Sequence, residues 1–171
     1  MQQAARSVVL RAFQGVALCL PLCACSGSPA DPDPGTTSGD LAGTVSCEQD
    51  PRVDAYQDLT KTGDLGVLTF RLAQLEPAPP AKGNNTFQLQ ISDSSGAPVD
   101  GALKVDLKMP DHGHGTSVKP QTTFDPATNE WTIDPLYLFM PGVWRIQLEA
   151  YAGAASAAPL DRTALFFCIE G

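Results

Sequence analysis

After the initiator, every histidine and methionine of the chain falls in two short stretches. Met109-Pro110-Asp111-His112-Gly113-His114-Gly115 carries Met109, His112 and His114, and Phe139-Met140-Pro141-Gly142-Val143-Trp144 carries Met140. Imidazole nitrogen and thioether sulfur are ligands that soft or borderline metals select, copper foremost. Two imidazoles with one or two thioethers suit Cu(I), while two imidazoles with Asp111 and water suit Cu(II). Zinc fits less well, because a closed structural site takes four strong ligands and the chain has only 2 histidines. His112 and His114 flank Gly113, so an extended local backbone would direct both rings to one side. Gly113 and Gly115 would let the loop approach another group closely. A purely structural reading of the same residues stands beside this one. Met109 follows the inward parity of Leu103, Val105 and Leu107, Met140 could plug the other side of the same gap, and His-Gly-His could be a tight loop whose ring nitrogens bond nearby carbonyls.

Catalysis has less to stand on. The chain shows no Gly-x-Ser-x-Gly elbow and no carboxylate pair at a recognisable spacing. A histidine base would be His112 or His114 with Thr116 or Ser117 nearby, but nothing in the sequence orients them. The expectation is a protein that is not an enzyme.

The elements that must position these residues are strands. Period-two alternation runs through Leu68, Phe70 and Leu72, through Phe87, Leu89 and Ile91, and through Leu103, Val105, Leu107 and Met109. It continues through Trp131 and Ile133, through Trp144, Ile146 and Leu148, and through Ala164, Phe166 and Cys168. One apolar and one polar face per run is the pattern of strands with a single buried side. Turn residues separate them at Ser94-Ser95-Gly96, Asp125-Pro126-Ala127-Thr128-Asn129 and Met140-Pro141-Gly142. Asn84-Asn85-Thr86 matches a glycosylation sequon and reads as a turn into a strand. No segment predicts a long amphipathic helix; residues 152–158 read as a loop or one helical turn, and residues 50–62 as the site of another helical turn. About seven short strands indicate an all-β fold, a single immunoglobulin-like antiparallel β-sandwich with Trp131, Trp144, Phe87 and Phe166 in its core.

Five cysteines and the charge set the surroundings. Cys19, Cys23 and Cys25 lie in the first residues, which leaves Cys47 and Cys168 at the two ends of the folded region. An even pair in an exported domain is most simply a disulfide, and there is no Cys-x-x-Cys spacing to favour a metal or redox thiol pair. Closing so long a loop would stabilise the fold by roughly 4–5 kcal/mol in the chain-entropy treatment. The formal net charge is −8, and losing Arg6 and Arg11 with a leader takes it to −10. So acidic a domain would repel nucleic acid and anionic headgroups, which excludes nucleic-acid partners.

The leader itself is legible. Arg6 and Arg11 precede a short apolar run, Val16 to Leu22, which is too short to span a bilayer but suits a signal peptide. Leu22-Cys23-Ala24-Cys25-Ser26 resembles the bacterial lipobox, in which cleavage exposes a cysteine for lipid attachment. On that resemblance residues 1–24 are a lipoprotein signal peptide and Cys25 is the lipidated residue, a membrane anchor of several acyl chains at about 0.8 kcal/mol per buried methylene. Ser26 lacks the aspartate that holds some lipoproteins at the inner membrane, so the expected location is the cell envelope, on the outer membrane facing the periplasm. Residues 25–46 are Ser, Gly, Pro, Asp and Thr with little that is apolar, and read as a disordered tether with a reach on the order of 25 Å. Residues 47–171 then form the domain, large enough for a sandwich core.

Four stretches together carry a family resemblance. They are Glu76-Pro77-Ala78-Pro79-Pro80 through Phe87, Gly96-Ala97-Pro98-Val99-Asp100-Gly101-Ala102, and the two methionine-proline stretches at Met109 and Met140. Over about residues 63–171 the chain resembles the YtkA-like domains, related to FixH-like proteins, found in bacterial lipoproteins and in membrane-associated or copper-linked settings. The resemblance implies a β-sandwich outside the cytoplasm and supplies the case for copper as cofactor, without implying a settled activity. Two functions follow as expectations. One is copper binding or delivery through His112, His114, Met109 and Met140; the other is a non-catalytic structural or interaction module that engages an envelope protein without metal.

Overall fold

The computed structural model describes residues 47–171. The expected signal peptide, Cys25 and the expected tether lie outside the described residues.

Nine strands form two antiparallel sheets: β1 (Thr60–Thr62), β2 (Leu68–Glu76), β3 (Gly83–Asp93), β4 (Ala102–Met109), β5 (His114–Gly115), β6 (Gln121–Asp125), β7 (Glu130–Leu138), β8 (Gly142–Tyr151) and β9 (Asp161–Ile169). The five-stranded sheet has the order β1-β2-β3-β7-β6 and the four-stranded sheet β5-β4-β8-β9. The expected all-β sandwich is therefore what forms. Seven strands are of ordinary length, and β1 and β5 are short additions at sheet edges. The alternation explains the faces: Phe70, Phe87, Leu89, Ile91 and Ile133 from one sheet meet Leu107, Met109, Trp144, Ile146, Leu148 and Leu165 from the other, all essentially without solvent contact. Phe87 and Phe167 cross between the sheets edge to face, with ring centroids 5.5 Å apart.

Strand β9 corrects one expectation. Its buried apolar residues are Leu165, Phe167 and Ile169, in step with the buried Asp161 and Thr163, whereas Ala164, Phe166 and Cys168 face outward and are half-buried. The run Ala164-Leu165-Phe166-Phe167-Cys168-Ile169 is apolar at both parities, so alternation cannot choose its face. What shields the outer parity is the segment entering the domain. Cys47 is bonded to Cys168, with Cα atoms 5.3 Å apart across a sequence separation of 121. Asp54 N–H donates to the Phe166 carbonyl at 2.8 Å, and the Asp54 carboxylate accepts the Phe166 N–H at 2.8 Å. Lys61 Nζ donates to the Ala164 carbonyl at 2.9 Å. These bonds satisfy the free edge of β9 and lay residues 50–62 along it through turns at 51–52 and 57–58. The helical turn expected there is accordingly absent, and β1 forms instead. Residues 152–158 are a loop. The sequon residues 84–86 lie inside β3, and Asn85 is buried, bonding the carbonyls of Ala81 and Gly83 and accepting the Ala81 N–H.

Candidate functional site

Antiparallel pairing decides which loops share a rim. Strand β4 ends at Met109, and Lys108 stands opposite Arg145, three residues into β8. The entry to β8 is the connection 139–141, through which the chain passes from β7 in one sheet to β8 in the other. The turn after Met109 and the Phe139–Gly142 turn therefore meet at one end of the sandwich. The start of β3, with Gly83 opposite Leu138, and the end of β9, with Ile169 opposite Gly142, lie at that end too.

The histidine turn is tight, not extended. His112 and Gly113 N–H groups both reach the Met109 carbonyl, at 3.3 and 2.9 Å, and Gly113 adopts φ of 70°, a region open to glycine. The chain then returns as β5, pairing His114 with Met109 and Gly115 with Lys108. Gly115 is required here, because a Cβ would overlap the Leu107 carbonyl oxygen. Despite the turn, the two imidazoles are neighbours: their centroids are 5.6 Å apart at an interplanar angle of 78°. His112 is exposed and His114 half-buried. The expectation that both rings share a side holds by a different backbone route.

His114 joins an aromatic stack. Its ring lies 5.8 Å from Phe139 at 28°, Phe139 lies 6.1 Å from Tyr137 at 25°, and Phe139 meets Trp144 edge to face at 5.6 Å. The Trp144 indole N–H donates to the Met140 carbonyl at 2.9 Å, which pins the turn from below. Met140 is half-buried against the core. Met109 is fully buried, and a Cβ on Gly142 would come within 2.8 Å of its terminal methyl carbon. Its thioether thus sits beneath the same turn, in the inward parity the strand pattern predicts. Phe139 was not singled out from the sequence, since only tertiary contact sets it between His114 and Trp144.

Asp111 is held by a residue that sequence reasoning also missed. Arg52 donates Nη1 and Nη2 to the two carboxylate oxygens of Asp111 at 2.8 and 2.7 Å, and also binds Asp50. The Arg52 guanidinium holds the Asp111 carboxyl below its ordinary range and brings Asp50 down to about 2. Asp111 is thus an arginine partner at the foot of the histidine turn, and its carboxylate is engaged. Among the described residues no group of three or more His, Cys, Asp or Glu side chains is arranged to hold a metal ion.

The family model described as YtkA-like matches residues 64–149. The chain belongs to the YtkA-like family. No curated protein and no solved structure matches it.

Proposed function

We propose that this YtkA-like protein is an envelope lipoprotein, anchored through Cys25, that binds or delivers copper with His112, His114 and Met140, with Met109 as the sulfur beneath them. The observation that supports the reading is the meeting of His112, His114 and Phe139, the residue next to Met140, at one rim, with ring centroids 5.6 and 5.8 Å apart. One exposed and one half-buried imidazole, on the rim shared with the Met140 turn, offer donors of the types suited to Cu(I). An open rim also suits transfer, since an incoming ligand can reach the ion. A second reading has its own support: the His114 ring is stacked on Phe139 as a packing element, which favours a non-catalytic module engaging an envelope protein at this rim.

One titration separates the two. Purified protein competes for Cu(I) against a chromophoric chelator, beside a His112→Ala, His114→Ala double variant and a Met140→Leu variant. Copper binding predicts that the wild type withdraws metal, the double variant does not, and Met140→Leu does so more weakly. Equal competition by wild type and double variant removes the copper reading and leaves the interaction module.

A further inference from the structure

We propose that the outer face of the four-stranded sheet binds an oxyanion, a carboxylate or phosphate group on a small ligand, through Arg145 and Lys108. The pairing register sets out this face in three rows. The row nearest the histidine rim reads Lys108, Arg145, Phe166, the next Asp106, Gln147, Ala164, and the third Lys104, Glu149, Arg162.

The third row balances itself. Glu149 stands between two cations and accepts the Tyr151 hydroxyl at 2.8 Å, Lys104 lies over the Tyr151 ring at 4.2 Å, and Arg162 donates to Asp64 at 3.2 Å. The first row does not. Lys108 and Arg145 are directly opposite, an arrangement that repels, and no carboxylate shares the row. On its far side Lys61 Nζ sits over the Phe166 ring at 5.8 Å, already paired with Asp54 at 2.7 Å.

Arg145 Nε is buried with no hydrogen-bond partner among the described residues. An unmade bond to a buried charged donor is costly, so the described fold leaves this guanidinium incompletely paired. Arg145 also borders a groove of about 450 Å³ that runs along the second and third rows, lined with it by Lys104, Asp106, Gln147, Glu149 and Arg162; the proposed anion site lies at the Arg145 end of that groove, away from the Glu149 row. A guanidinium fork beside an ammonium is the arrangement that takes carboxylate or phosphate oxygens in pairs. The three rows of this face hold Lys104, Lys108, Arg145 and Arg162 against Asp106 and Glu149, an excess of two cations on a chain of net charge −8, and both carboxylates lie outside the first row. Asp106, opposite Gln147, restricts the site to a compact anion aligned on the first row and disfavours an extended polyanion.

The test titrates the purified protein with inorganic phosphate and, separately, with succinate, following the Arg145 Nε–H resonance. Sodium chloride at matched ionic strength is the control. A saturable shift with either anion and not with chloride is expected, and the anion that produces it names the source. Arg145→Gln and Lys108→Gln should each weaken binding about tenfold or more, as loss of one charged hydrogen bond implies. The Arg145→Gln arm is followed through the remaining amide resonances of β8, and Lys108→Gln, on an exposed side chain, carries the test if Arg145→Gln does not fold. The His112→Ala, His114→Ala variant should bind the anion unchanged, which separates this site from the copper reading. No saturable shift with either anion, a shift that chloride reproduces, or affinity untouched by both single variants would overturn the proposal.

Discussion

Replacing Asp161 tests how this sandwich holds the end opposite its histidine rim. Asp161 is fully buried, yet its carboxylate accepts four backbone N–H groups: Leu65 and Arg162 on one oxygen at 2.8 Å each, and Val67 and Leu68 on the other at 2.8 and 2.9 Å. The loop it organises displays Leu65 and Val67 outward, 66% and 47% exposed, so apolar burial does not hold that loop in place. Gly63 leaves the space the carboxylate fills, since a Cβ there would overlap it. Burial alone would push the Asp161 carboxyl up, but the four N–H donors together outweigh it and the carboxyl stays below its ordinary range. Asp161→Ala would strand the Leu68 N–H in a buried position at about 1–3 kcal/mol and return the part-buried Leu65, Val67 and Arg162 donors to water at about 1 kcal/mol each, a total of roughly 4–6 kcal/mol. Asp161→Asn keeps one acceptor and should cost about half of that. Because the folded carboxyl is lowered, its stabilisation is complete above an unfolded pKa of about 4 and is lost as pH falls through the folded value. Urea unfolding of wild type and Asp161→Asn, compared from pH 7 downward, should show a gap that narrows only below about pH 4. A negligible gap at neutral pH, or one unchanged into strong acid, would refute the account of this loop.

Other perturbations follow from the same contacts. Phe167→Ala should lower stability by about 3–5 kcal/mol and Phe166→Ala by less than half as much, measured by denaturant unfolding, because only Phe167 lies in the core. Cys47→Ser should cost roughly 4–5 kcal/mol by thermal melting, the chain-entropy value for a loop closed across 121 residues. Gly115→Ala should break the β4–β5 pairing at the Leu107 carbonyl and lift His114 from Phe139, seen as loss of the ring-current shift on the His114 protons, while the rest of the sandwich keeps its amide spectrum.

Much of the fold is legible in local pattern. Leu68 to Leu72, Phe87 to Ile91 and Leu103 to Met109 alternate cleanly, and each buries the side its pattern indicates. The pairing of Cys47 with Cys168 follows from counting cysteines, because once the first three are set aside only one pair remains. Two kinds of residue escaped. Phe166 and Phe167 are chemically alike and adjacent, so the face of β9 depends on which outer residues the incoming segment covers. Arg52 and Asp111 are 59 residues apart, and nothing local announces that they meet at 2.7–2.8 Å.

The candidate site divides in the same way. The chain order of its residues already contains the chemistry: two imidazoles around one glycine, two thioethers each followed by proline, and strands leading to both. Side-chain type and two-residue periodicity are properties of neighbours along the backbone, so they can be read without coordinates. That His114 stacks on Phe139, that Met109 lies under Gly142, and that Lys108 faces Arg145 across the sheet were decided by tertiary structure. Each depends on strand register and on the crossing from β7 to β8 between layers, and those are settled by the whole core packing at once.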